Sequence, residues 1–174
     1  DRMRRPVAVR VVGPMQWIVY PALITVAVTI ILGTPVEVFG LNLPEPVIPM
    51  VLAFAWPLIR PSVVAPLVLT GLGLGLDIFT YGPLGLWALS LLAIYAVVLA
   101  SRSFLIGQDT AVLFVWYAAC CGLAFLLVYL VRMIIDHNAA SLLALIGQVV
   151  PTLLLFPFAN QMIERFEDGD VRFR

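Results

Sequence analysis

Six apolar runs, separated by short breaks of Arg, Pro, Gly or acidic residues, leave almost no chain outside them. At about 20 residues per membrane-crossing helix, six crossings consume about 120 residues. The sequence has 174 residues. The remainder, shared among loops and tails, is too short for a separate soluble domain. Composition agrees. Hydrophobic residues make up 63% and charged residues 11%, with a mean hydropathy of +1.08, against about 25% charged residues in soluble domains. An ordinary cytosolic domain, a nucleic-acid binder and a disordered chain are excluded. The expected fold is all-α: one polytopic integral membrane domain of six transmembrane helices in a kinked, short-looped bundle.

A basic, Pro-interrupted tail, 1–16, carries Arg2, Arg4, Arg5 and Arg10. The first span is expected over 17–33, with Trp17 and Tyr20 suited to an interface. No small-residue cleavage site follows it, so it is expected to stay as a span rather than leave as a secretory signal. The second run, 46–59, is short for a crossing. Arg60 follows it directly, and Arg favours the cytoplasmic side, so the run is expected to cross, tilted or kinked at Pro57 in thinned lipid. Spans three and four, 62–80 and 84–101, flank Tyr81-Gly82-Pro83 and form an antiparallel helical hairpin. Spans five and six, 110–134 and 139–160, flank Asp136-His137-Asn138, and a mixed-charge tail occupies 161–174.

All ten basic residues are Arg. Six crossings put every one of them except Arg132 on the side of the termini. That asymmetry places both termini in the cytoplasm.

Asp77 is the most informative single residue. A carboxylate at the centre of a spanning helix costs about 2.5–3.5 kcal/mol, and less near an interface. Counting from Ser62 at about 1.5 Å per residue sets Asp77 about 22 Å across. Two roles are open to it: a proton or solute site, or a structural carboxylate that caps or pins the turn between spans three and four. The structural role asks less of the surroundings. Arg132, at a similar expected depth, is its candidate internal partner. Gly71 and Gly75 form a GxxxG face of the kind that lets another helix approach closely.

Other chemistry is thin. His137 is the single histidine and has no cluster around it, so no metal site is expected. Cys120 and Cys121 are adjacent in an apolar run, a spacing that fits neither a metal site nor a redox pair. No serine sits in a nucleophile motif, and no catalytic residue, cofactor or enzyme activity is expected. Trp17, Trp56, Trp87 and Trp116 are expected to anchor helix ends at interfaces. Pro21, Pro57, Pro66, Pro151 and Pro157 are expected to kink their spans and open grooves. Gln148, Asn160 and Gln161 are expected to bond across such a groove.

The run GLGLGLDIFTYGPLGLWALSLLAIY, 71–95, resembles the rod-shape-determining MreD family. The glycine-rich approach, Asp77, the turn Gly82-Pro83-Leu84-Gly85 and the apolar helix behind it carry the resemblance, together with Arg60-Pro61, the length and the expected topology. The resemblance implies a non-catalytic component of the bacterial inner membrane, in the machinery that builds lateral-wall peptidoglycan and sets cell shape. It implies binding to MreC, a single-span protein, and indirect association with RodA, a class B penicillin-binding transpeptidase and MreB. Membrane lipid is a partner on any reading, and nucleic acid is not. Gly71, Gly75, Asp77, Gly82, Pro83, Gly85 and Arg132 are the expected partner-binding or structural positions. MreD proteins also resemble the substrate-binding components of energy-coupling-factor transporters. That likeness implies the alternative, a small-solute-binding or transport subunit with a pocket around Asp77 and Arg132.

Overall fold

The computed structural model describes residues 10–33, 37–38, 41–42, 45–137, 141–167 and 171–173. Arg2, Arg4 and Arg5 of the basic tail, Asn138, and Asp168, Asp170 and Arg174 of the closing tail lie outside the described residues. The fold is all-α. Helix α1 spans Met15–Gly33, its first turn, Met15–Val19, being π-helical; α2 is Pro49–Ile59, α3 Val64–Phe79, α4 Leu86–Ala100, α5 Arg102–Leu105, α6 Thr110–Asp136, α7 Leu142–Leu154 and α8 Phe156–Glu167. Two minimal ribbons accompany them. Strand β1 (Arg10–Val12) pairs in parallel with β4 (Val171–Phe173), and β2 (Glu37–Val38) pairs antiparallel with β3 (Leu41–Asn42).

Three helical rods are long and apolar enough to cross a membrane: Met15–Gly33, Thr110–Asp136 and the α7–α8 rod, Leu142–Phe166. They are also open to the outside. Leu23, Ile24, Ile31, Leu143 and Leu154 are all more than half exposed. An apolar surface of that extent is unsuited to water, and it marks a membrane protein. Helices α2, α3 and α4 are shorter apolar segments.

Helix α2 occupies the centre. All eleven of its residues are buried, as expected for a helix that is apolar on every side. It packs against α4, α8, α3, α1 and α6. At about 1.5 Å per residue it is about 16 Å long, half of a hydrocarbon core of about 30 Å. The second run is thus a plug between its neighbours in addition to being an apolar segment. Trp17, Trp56 and Trp87, expected at interfaces, are buried with it. Their large apolar faces fill the core where short helices meet.

The five prolines divide by their place in the helices. Pro66 and Pro157 fall in first turns, where an N–H has no partner to lose. Pro57 and Pro151 lie in helix interiors. Side chains donate to three backbone carbonyls near these prolines. Pro21 has no N–H for the Trp17 carbonyl four residues back, and Trp56 Nε1 donates to that oxygen at 2.9 Å. The Ser62 carbonyl, ahead of α3, accepts from Tyr95 Oη at 3.0 Å. The Pro57 carbonyl, in the last turn of α2, accepts from Arg102 Nε at 3.0 Å. Buried backbone acceptors are rarely left unpaired, and here three helix contacts are fixed by meeting that demand.

The last rod breaks at Leu155, between α7 and α8. Thr152 sits at the break and is fully buried. Its Oγ1 accepts from Val47 N–H at 3.1 Å and donates to the Gln148 carbonyl at 2.7 Å, while its carbonyl accepts from Tyr117 Oη at 2.7 Å. One threonine therefore ties α6, the approach to α2 and α7 together. Helix α8 runs to Glu167, beyond the expected end near 160, because Ile163 and Phe166 are buried on a face packed against α2.

Candidate functional site

The hairpin of α3 and α4 is the most extensive helix pair among the described residues. Its turn ends with Gly85 at φ +93°, a left-handed conformation that glycine adopts without strain. Gly85 cannot cap α4 with a side chain, so the first backbone N–H groups of α4 need another acceptor. Asp77 supplies it from the facing helix. Its Oδ2 accepts from Gly85 N–H at 2.8 Å and its Oδ1 from Trp87 N–H at 3.0 Å. The Asp77 carbonyl also accepts from Gly82 N–H at 3.1 Å. The carboxylate is 1% exposed. It sits at the positive end of the α4 dipole, where a negative charge is favoured. Of the two roles open to Asp77, the geometry matches the cap.

Arg132 is not the partner of Asp77: no ion pair or hydrogen bond joins them among the described residues. The guanidinium instead lies over Gly82, where a Cβ would stand 2.9 Å from its Nη2. Arg132 Nε is buried and has no hydrogen-bond partner. Thus Asp77, Gly82 and Gly85 meet in the turn, with Pro83 between them, and Arg132 joins from α6 without pairing.

Gly71 and Gly75 are not the close contact of the hairpin. A Cβ at either would meet nothing within 4 Å. The close approach falls on Gly73, where a Cβ would overlap the backbone of Ala88 and Trp87 on α4. The glycines at 71, 73 and 75 therefore divide by helix face. Gly73 lets α4 in. Gly71 and Gly75 line a shallow groove of about 90 Å³ between α3 and α1, with Val26, Thr29 and Leu72.

Beside the hairpin end, two hollows meet at Thr80, Trp87, Ala144 and Gln148. One, of about 390 Å³, continues past Glu45 and Phe79 towards α1. The other, of about 310 Å³, continues past Tyr129, Arg132 and Ser141. Gln148 faces the groove, but its side chain makes no hydrogen bond across it among the described residues, and Asn160 bonds within its own helix to Glu164 at 2.8 Å. His137 is exposed at the end of α6. Cys120 and Cys121 are free and buried. Among the described residues no three of His, Cys, Asp and Glu come together as a metal site.

The sequence reading did not single out Gly73, Thr152, Tyr117 or Tyr95. The alternation of glycine at 71, 73 and 75 was a usable signal for Gly73, since helix geometry puts the middle one on a different face. Thr152 carries no such signal, because its role depends on a break that only packing defines. Comparison of the chain with family models, with curated proteins and with solved structures gives no match.

Proposed function

We propose that this chain is a non-catalytic, MreD-like component of a bacterial inner-membrane complex, and that it holds the transmembrane helix of a single-span, MreC-like partner. The observation that carries this is the division of the glycines. Gly73 is spent on the hairpin, while Gly71 and Gly75 leave an open, small-residue groove on α3. Small residues on an open helix face suit close approach by another helix within lipid. Asp77, Gly82, Pro83 and Gly85 then hold the hairpin that presents this face.

Six crossings with cytoplasmic termini fit this role. The pairing of β1 with β4 brings the two ends of the described chain to one place, which an even number of crossings requires. The Arg distribution favours the cytoplasm for that side. A short, tilted α2 crosses with the help of the neighbours that enclose it. Through its partner the chain would act with RodA, a class B transpeptidase and MreB in lateral-wall synthesis. The alternative of a solute-binding subunit loses the acid it was built on, because both Asp77 oxygens are engaged with the α4 backbone.

The test is mild-detergent purification of a tagged copy from its native membrane, with mass spectrometry of what co-elutes. A stoichiometric single-span protein, lost from Gly71→Ile and Gly75→Ile variants that still insert and fold, is the expected result. Recovery of the chain alone, or of the same partner with both variants, would overturn the proposal.

A further inference from the structure

We propose that the hollow beside Arg132 binds the phosphate of a membrane lipid headgroup, a site independent of the partner groove on α3. The hollow is lined by side-chain donors that no protein acceptor engages among the described residues. Arg132 makes no hydrogen bond or ion pair among the described residues, and its buried Nε has no acceptor. Tyr129, Ser141 and Gln148 line the same space, and no side-chain hydrogen bond engages any of the three among the described residues. A buried guanidinium nitrogen without an acceptor is costly. An anion with several oxygens would satisfy Arg132 in fork geometry and take further bonds from the hydroxyl and amide groups around it.

Position selects the source of that anion. Arg132 lies four residues before the end of α6, about 6 Å along the helix. A basic residue at that depth sits where headgroups are found. Phe79 and Leu32, both exposed apolar side chains, line the adjoining hollow that opens from it. They offer a surface for acyl chains beside a headgroup held in the hollow. Its volume of about 310 Å³ falls in the range of small-ligand sites. Two acids are close by. Asp136 is one turn beyond Arg132 and exposed, without pairing to it, and Glu45 lines the adjoining hollow. Neither closes the Arg132 side.

The test is native mass spectrometry of the full chain in detergent, titrated with phosphatidylglycerol. Diacylglycerol of the same chain length serves as the phosphate-free control, and inorganic phosphate as the free anion. The wild type should retain the phospholipid and not the diacylglycerol. Arg132→Gln should weaken retention about tenfold or more, with Arg132→Lys in between. Tyr129→Phe and Gln148→Leu should each weaken it by a smaller factor, and they carry the test if Arg132→Gln fails to fold. Equal retention of both lipids, or retention unchanged in the folded variants, overturns the site. Heat protection by inorganic phosphate equal to that by phospholipid, with lipid retention indifferent to Arg132, overturns the lipid assignment.

Discussion

Asp77 caps a helix to which it does not belong. Its Oδ1 accepts the backbone N–H of Trp87, ten residues on, at 3.0 Å, and Oδ2 accepts that of Gly85 at 2.8 Å. The two bonds lock α3 to the start of α4 inside an apolar setting. Asp77→Ala removes both and leaves two donors without acceptors, at a cost of about 2–3 kcal/mol. Asp77→Asn keeps one acceptor oxygen and should lose about half as much. Insertion into the membrane should be unchanged, since the substitution makes α3 more apolar. Thermal unfolding of the purified variants in detergent measures the order wild type, Asn, Ala. An Asn variant as unstable as the Ala variant would mean that charge rather than hydrogen bonding dominates.

Substitution to alanine should separate the three glycines of α3. Gly73→Ala drives a methyl group into the Ala88 backbone, which cannot give way as a side-chain tip can. Overpacking of this kind costs about 1–3 kcal/mol. Gly71→Ala and Gly75→Ala meet open space, and better helix propensity should make them neutral or stabilising by up to about 1 kcal/mol. The stability of the isolated protein reads the first effect. Partner capture reads the second, where the larger Gly71→Ile and Gly75→Ile changes should show a loss that stability does not.

Trp56 and Pro21 should be coupled through the Trp17 carbonyl. Trp56→Phe removes the indole donor to the Trp17 carbonyl, for about 1 kcal/mol besides the lost packing. Pro21→Ala restores an N–H four residues after Trp17. In the Trp56→Phe background that N–H has a carbonyl to serve, so Pro21→Ala should be more favourable there than in the wild type by about 1 kcal/mol. A double-mutant cycle on unfolding free energies checks this, and strict additivity would refute the link.

Much of the fold was legible because apolar runs and their breaks are written directly in the chain. The runs at 17–33, 62–80, 84–101 and 110–134 overlap the observed helices closely. The hairpin was legible from the short turn at Tyr81-Gly82-Pro83, and the capping role of Asp77 from the cost of leaving its carboxylate unpaired. Facing direction was harder to read. In a chain apolar on every side, the hydrophobic period no longer says which face meets protein and which meets lipid. Trp17, Trp56 and Trp87 therefore read as interface anchors, although they fill the core. Gly71 and Gly75 read as the contact, although Gly73 makes it. Arg132 read as the partner of Asp77 because depth is legible and rotation about the helix axis is not.

Cys120 and Cys121 should report the opening of the core. Both are free, with exposures of 3% and 0%, on the face of α6 that carries buried Tyr117 and Ala124. A thiol must reach reagent before it reacts, and a packed interior denies that access. A maleimide should leave the folded protein unlabelled in mild detergent and label both positions together on unfolding. The labelling rate then follows the population of open molecules when closing is fast. Asp77→Ala should raise that rate by about thirtyfold or more, the factor that corresponds to its lost hydrogen bonds. Gly71→Ala should leave it near the wild-type value. Mass spectrometry of timed samples gives the two rates. Rapid labelling of the wild type would show that the α6 contact opens without the hairpin, and the unfolding free energies of hairpin variants would then need a separate probe on α4.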